Sequence, residues 1–182
     1  MTAATPQDPY DAIAGVLVPL VSTPVTESAI RIALIDGHHV TFGREPSFRR
    51  LAVAWAMVAG ECNRGKAVHN FNLCNIGLAG FPGDWTMLTA REIIDGQEVV
   101  RTQPIRSHSC AEAGAVDYWD FLAKRCTLAL MLFDYGDMSA IAHALKTSWR
   151  YTEHEEVYAR SLWLLGEEYV RRWPEGQEGG GR

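Results

Sequence analysis

A mostly helical α+β domain with one small β-hairpin is what this 182-residue sequence predicts, and three observations carry the prediction. The stretch 47–58 is apolar nearly all round, as a helix at the centre of a core must be. The stretch 84–106 sets β-branched residues on both sides of an Asp95–Gly96 pair, the usual chemistry of a short hairpin turn. From residue 109 onward the apolar residues return to helical spacing. The length suits one globular unit with a single core, and no internal repeat is visible.

Taken in order, residues 9–34 are mostly apolar and predict one or two helices, interrupted by Pro19 and Pro24. Residues 1–40 are accordingly expected to form an N-terminal helical extension. Ser47, or Glu45 with Pro46 in the first turn, signals the start of the central helix, which carries Leu51, Val53, Ala54, Trp55, Met57 and Val58. That helix must end near residues 60–63, where turn residues take over. Two strands are expected over 86–94 and 97–103. Ser109 and Glu112 then stand in a capping-box arrangement ahead of a helix with Ala115, Tyr118, Trp119 and Leu122 on one face. A shorter helix is expected within 137–148 and a longer one within 153–173, the latter with acids early and arginines late, as the helix dipole favours. Residues 174–182 read as a flexible tail, so the main domain is expected to span 41–173.

Bulk properties exclude several functions. The net charge of −5 is mild and both signs are dispersed, so the basic stripe needed by phosphate backbones is missing and no nucleic acid partner is expected. The apolar run 12–21 is too short, and too broken by proline, to predict a membrane span. With no basic residue before Arg31 it does not read as a secretion signal, and synthesis in the cytoplasm is expected. Four cysteines, Cys62, Cys74, Cys110 and Cys126, are too few for a disulfide scaffold and are expected as reduced, small hydrophobes. Cys62, His69 and Cys74 lack the close C-x-x-C clamp of structural zinc sites, so neither a metal nor another cofactor is expected.

Chemistry enters at Glu61. A carboxylate at the end of a core-quality helix marks the rim of a cleft. Partial desolvation and the negative end of the helix dipole both disfavour its ionised form there, so its pKa should rise. An acid that keeps its proton near neutral pH can donate it to a leaving oxygen, the general-acid role in glycoside cleavage. The bland alternative is a side chain fraying into solvent at a helix end.

The ordered pieces "LAVAWAMVAGE", "HNFNLCNIG", "DWTMLTAREIIDGQEVV", "IRSHSCAEAGAVDYWDFL" and "ALKTSWRYTEHEEVYARSL" resemble the lysozyme-superfamily glucosaminidases, with similarity running from about residue 47 to 169. That family includes flagellar and autolysin-type muramidases and similar domains of phage-like lysis and tail proteins. The resemblance implies a lysozyme-like fold, peptidoglycan glycan strands as substrate, and cleavage of the β-1,4 bonds between N-acetylglucosamine and N-acetylmuramic acid. It also allows a phage-like or injection assembly as partner. It makes Glu61 the proton donor. His69, Asn70, Asn72, Leu73 and Ile76 match the family's asparagine-bearing loop, whose amides could bond an N-acetyl or hydroxyl group of the sugar or, equally, the turn's own backbone. Glu92 stands where the family has a glutamate on the first hairpin strand, to polarise water or steady oxocarbenium-like charge, against a plain solvated strand position beside Arg91 and Glu98. Tyr151, Thr152, Glu153, Tyr158 and Ala159 match the late motif, in which Tyr151 would meet the sugar and Tyr158 would pack. Trp85 could stack on a saccharide or serve the core.

Departures from the pattern are Cys62 after the acid, the loss of both aromatics at Ile105-Arg106-Ser107-His108, and Arg150 before the late tyrosine. They leave room for a second reading, a wall-binding or structural protein that clamps glycan without cutting it. A third, a Cys62 thiolate activated by His69, rests on loop proximity alone.

Overall fold

The structure, a computed structural model, describes residues 15–78, 80–94, 97–149 and 154–175. Six helices and one two-stranded antiparallel sheet make up these residues: α1 (Glu27–Phe42), α2 (Phe48–Glu61), β1 (Trp85–Ile94), β2 (Gln97–Arg106), α3 (Ala111–Arg125), α4 (Thr127–Leu132), α5 (Met138–Trp149) and α6 (Glu155–Arg172). None of these helices is long and apolar enough to cross a membrane.

Helix α2 is the axis of the core. Ser47 caps it, its hydroxyl accepting from Arg50 N at 3.1 Å, and every residue from Arg50 to Ala59 is buried. Helix α6 runs antiparallel beside it. Near the N-terminal half of α2, Tyr169 packs on Phe48 and Trp55 at ring distances of 5.6 and 5.7 Å, and Trp173 meets Trp55 at 5.5 Å. At its far end Gly60 faces Leu165. Helices α1 and α3 close the other side, where the Trp119 indole donates to the Leu34 carbonyl at 2.8 Å.

The N-terminal region differs from the expected helices. Residues 15–26 form an extended strap, because Pro19 and Pro24 lack the N–H groups a helix would need. The strap borrows partners from the rest of the domain. Val18 N donates to the Trp85 carbonyl at 2.8 Å, Thr23 N to Val68 at 2.9 Å and Val25 N to Gly65 at 2.9 Å. Gly65 has φ +85° and lies so close to the strap that a Cβ would fall 1.9 Å from the Val25 oxygen, so only glycine fits. Helix α1 begins only at the Thr26 cap and runs on to a left-handed Gly43. The division expected at residue 40 therefore falls inside α1, whose Ile30, Ala33 and Leu34 belong to the same core as α2.

Two smaller differences have simple causes. Strand β2 runs to Arg106 rather than 103, since in a two-stranded ribbon Pro104, opposite Met87, can turn its missing N–H away from the ladder. The capping box expected from Ser109 and Glu112 is replaced by a cap at Cys110, whose side chain accepts from no N–H of the first turn. The Glu112 carboxylate instead accepts from its own N–H and from the Cys110 thiol, which holds its pKa below the usual value. The Asp95–Gly96 turn lies outside the described residues.

Where α1 meets α2, the buried His38 donates or accepts at two fixed points: Nδ1 lies 2.7 Å from the Arg44 carbonyl and Nε2 lies 3.3 Å from Arg50 Nη1. Nδ1–H facing a carbonyl leaves Nε2 as the acceptor from Arg50, so the packing requires a neutral ring. Burial is the main cause lowering the His38 pKa from 6.5. The charges of Arg50 and Arg44 lower it further, while the Arg44 carbonyl and Asp134 oppose them. A folded-state pKa below the unfolded one means that stability is complete above about pH 6.5 and is lost as the pH falls through the depressed value. His38→Gln is expected to be less stable at neutral pH but to lose less melting temperature between pH 7 and pH 4.5, which thermal scans across that range will check.

Candidate active site

Glu61 is the last residue of α2 and is half-buried, with the turn 62–67 and the loop 68–78 following it. Five non-glycine residues with positive φ crowd into this short stretch: Asn63, Arg64, Asn70, Phe71 and Asn75, at φ 47–54°. Asparagine tolerates that conformation, but Arg64 and Phe71 hold it at a cost of about 1 kcal/mol or more each. Strain of this density persists only where surrounding contacts impose it, and it concentrates at functional sites.

Across residues 70–75 the holding contacts come from the two candidate sugar-binding amides. Asn70 Oδ1 accepts from Val21 N at 2.7 Å, while its Nδ2 donates to the Pro19 carbonyl at 3.0 Å and to Ser107 Oγ at 3.1 Å. Asn72 Nδ2 donates to the carbonyls of Ile76 at 2.9 Å and Arg106 at 3.1 Å, and Oδ1 accepts from Ile76 N at 2.8 Å. Both side chains are buried. Of the two partners the sequence left equally open, these bonds are to the protein's own backbone and to Ser107, and they fasten the loop to the strap and to the end of β2. Asn72→Ala strands two buried carbonyls and one N–H, at about 1–3 kcal/mol for each group left unpaired. It is expected to lower the melting temperature while leaving KM unchanged, which is the reverse of what loss of a substrate contact would do.

Trp85 is likewise 6% exposed at the root of β1, bonded through its backbone to the strap, so it has no ring face to offer a saccharide. Cys62 is fully buried and its thiol donates to the Val58 carbonyl at 2.8 Å. Burial pushes its pKa to about 11, with the neighbouring Glu61 charge adding to the effect. Such a thiol is no nucleophile at neutral pH. Among the described residues no group of three His, Cys, Asp or Glu side chains is placed to hold a metal ion.

Behind Glu61 stands Tyr118, fully buried on α3 with its hydroxyl 3.5 Å from Met57 Sδ. Burial holds its pKa well above the ordinary value, and Cys74, Tyr158, Cys126 and Glu61 all act on it in the same direction. Tyr118 thus stands as a neutral hydroxyl close enough to feel the Glu61 charge. On the outer side, Arg64 of the strained turn pairs with Glu168 of α6 at 2.6 Å. That pairing lowers the Glu168 pKa and raises that of Arg64. Arg172 joins the same cluster through Glu168 at 3.3 Å and through Glu27.

Glu92 lies on β1 opposite Val99, three pairs from the turn. It lies seven positions beyond Trp85 at the root, about 23 Å of strand. Its side chain, and the whole of Tyr151, Thr152, Glu153 and Arg150, lie outside the described residues. The Arg91 guanidinium pairs with Glu98 at 3.2 Å on the exposed face of the same hairpin.

One part of the site left no mark in the sequence reading. The Arg106 guanidinium, at the end of β2, lies between Phe81 and Phe121 at 5.0 and 5.4 Å from the ring centres. It donates to Asp117 Oδ1 at 2.7 Å and to the Gly77 carbonyl at 2.9 Å. His108 Nε2 is 3.3 Å from the other Asp117 oxygen, within ion-pair distance but out of line for a hydrogen bond. This cluster ties the root of the hairpin to α3. The run 114–122 carries two aspartates, Asp117 and Asp120, and its sequence does not distinguish the one that pairs with Arg106 from the one that pairs with Lys124.

No family model matches the chain, and no curated protein sequence matches it. Solved structures do. A mutant of a peptidoglycan hydrolase from Sphingomonas sp. A1 aligns with a TM-score of 0.58 at 20% identity, covering 80% of this chain and 99% of that one. The fold is lysozyme-like. A C-terminally truncated glycoside hydrolase domain of Salmonella typhimurium FlgJ aligns at 0.54 and 16% identity over 80% of this chain and 95% of the other. The catalytic domain of the autolysin Auto from Listeria monocytogenes aligns at 0.52 and 18% identity, covering 82% and 87%. In this lysozyme-like domain the core helix α2 delivers Glu61 to the start of the strained loop, while the cavity of about 610 Å³ lined by Arg44, Phe48, Arg49, Arg50, Asp134 and Glu175 lies at the opposite end of the same helix.

Proposed function

We propose that this chain is a peptidoglycan glycoside hydrolase that cuts β-1,4 bonds between N-acetylglucosamine and N-acetylmuramic acid, with Glu61 as general acid. The observation that carries the reading is the placement of that one carboxylate. It is half-buried and ends a helix buried for ten successive residues, in a fold whose solved neighbours are peptidoglycan hydrolases. That position sits at the carbonyl end of the helix, the negative end of its dipole. In the proposed reaction Glu61 gives its proton to the bridging oxygen as the bond from the anomeric carbon breaks. Water then adds to the oxocarbenium-like centre and passes its proton to a base, the role proposed for Glu92 on the hairpin. Tyr151 is proposed to contact the sugar.

The test is digestion of purified sacculi followed by mass determination of the released fragments. Hydrolysis leaves reducing ends, whereas closure by an internal hydroxyl leaves anhydro ends lighter by one water. Absence of any released fragment would overturn the proposal. A second reading, glycan clamping without cleavage, is favoured by one feature: at the positions where the resembling family carries aromatics, Ile105 is fully buried and His108 turns inward to Asp117. Sacculus binding with no fragment release would select it.

A further inference from the structure

Helix α6 carries a second surface suited to a sugar. Trp163 is 54% exposed, although Ala159, Leu162, Gly166 and Tyr169 on the same helix are buried. It lines a shallow groove of about 380 Å³ between α5 and α6 together with Met138, Ser139, Glu156, Ala159 and Arg160. That volume is within the range of small-ligand sites. Glu156 and Arg160 are one helical turn apart and both exposed, yet they form no ion pair with each other or with any other described residue. Elsewhere on α6, Glu155 pairs with Lys146 and His143, and Glu168 with Arg64 and Arg172, while Glu167 and Arg171, outside this groove, likewise form no ion pair with a described residue. The groove therefore presents an indole flanked by a carboxylate, a guanidinium and the Ser139 hydroxyl, all with free hydrogen-bonding capacity.

A pyranose has the complementary chemistry. Its C–H face is apolar and packs on an aromatic ring, while its equatorial hydroxyls both donate and accept. An acidic or basic peptide would leave one of the two opposed charges facing its like; neutral hydroxyls satisfy both. We infer that the Trp163 groove, whose lining does not include Glu61, is an auxiliary binding site for the β-1,4-linked N-acetylhexosamine chain that retains the protein on the glycan. The choice of glycan rests on the function proposed above, whereas the sugar-binding character rests on the groove itself.

The experiment uses Glu61→Gln protein, so that the probe is not consumed, and an N-acetylglucosamine tetramer as the probe. The indole N–H signal of Trp163, assigned by its loss in Trp163→Phe, is followed by two-dimensional NMR during titration. A saturable shift is expected. In co-sedimentation with sacculi, Trp163→Ala in the same background is expected to weaken binding about tenfold, and Trp163→Phe, which keeps a ring, to weaken it less than threefold. A Trp163 signal that stays still at saturating tetramer overturns the inference, as does unchanged sedimentation of Trp163→Ala. Fragment release by the parent protein is scored separately, so failure of the hydrolase reading and failure of this site give different results. As Trp163 is exposed, its substitution leaves the core intact, and circular dichroism of each variant confirms it.

Discussion

Glu61→Gln is expected to lower the rate of reducing-end release from sacculi by about 10²–10⁴-fold, the share of a barrier that general-acid catalysis supplies. Glutamine has the shape of glutamic acid and still donates a hydrogen bond, but it cannot transfer a proton to the leaving oxygen. The loss should fall on kcat, with KM little changed, because the interaction removed is made as the bond breaks rather than on binding. Stability should change by less than about 0.5 kcal/mol, since the side chain ends a helix instead of filling the core. Unfolding midpoints of the two proteins should then agree within about 2 °C. That combination separates the acid from its neighbours: Asn72→Ala is expected to show the opposite pattern, stability lost and KM kept. If Glu61→Gln digests sacculi at the parental rate, Glu61 is not the acid and the mechanism proposed here is wrong.

The sequence made some of this legible for physical reasons. An apolar run capped by Ser47 could only be a central helix, and its end could only be where turn residues begin, so Glu61 was placed without the structure. The hairpin announced itself through strand residues on both sides of a turn pair, and the register Trp85 to Arg106 follows from it. Three features were not legible, each for its own reason. Residues 15–26 are apolar whether they run as a helix or as a strap, and apolar periodicity over so short a span does not separate the two. The amides of Asn70 and Asn72 carry the same donors and acceptors that a sugar or a turn would use, and only their burial against Pro19, Val21, Ile76 and Arg106 decides between them. The pairing of Arg106 with Asp117 joins a strand end to a helix, and no spacing rule marks such a contact in advance.

That pairing carries the largest expected effect on stability. Asp117→Ala is expected to destabilise the fold by about 3–5 kcal/mol, the cost of leaving one member of a buried ion pair without its partner. Arg106 is 5% exposed and clasped between two phenyl rings, so it cannot swing out to water when the carboxylate is removed. Its remaining acceptors, the Gly77 and Leu78 carbonyls, satisfy hydrogen bonds but do not neutralise the charge. At about 2–4 °C per kcal/mol for a chain of this size, the melting temperature should drop by roughly 6–20 °C. Asp117→Asn, which keeps the shape and loses the charge, should fall between Asp117→Ala and the parent. The double variant Arg106→Met with Asp117→Leu should recover most of the loss, since replacing both charges by apolar side chains removes the uncompensated guanidinium along with its partner. Thermal unfolding of the parent, Arg106→Met, Asp117→Leu and the double variant closes the cycle. If the double variant is as unstable as the sum of the singles, the two residues act independently and the clamp at the hairpin root is not what holds it. If the double variant recovers stability but digests sacculi slowly, the clamp's contribution is to aim the hairpin that carries Glu92, since Arg106 ends the strand that pairs with it.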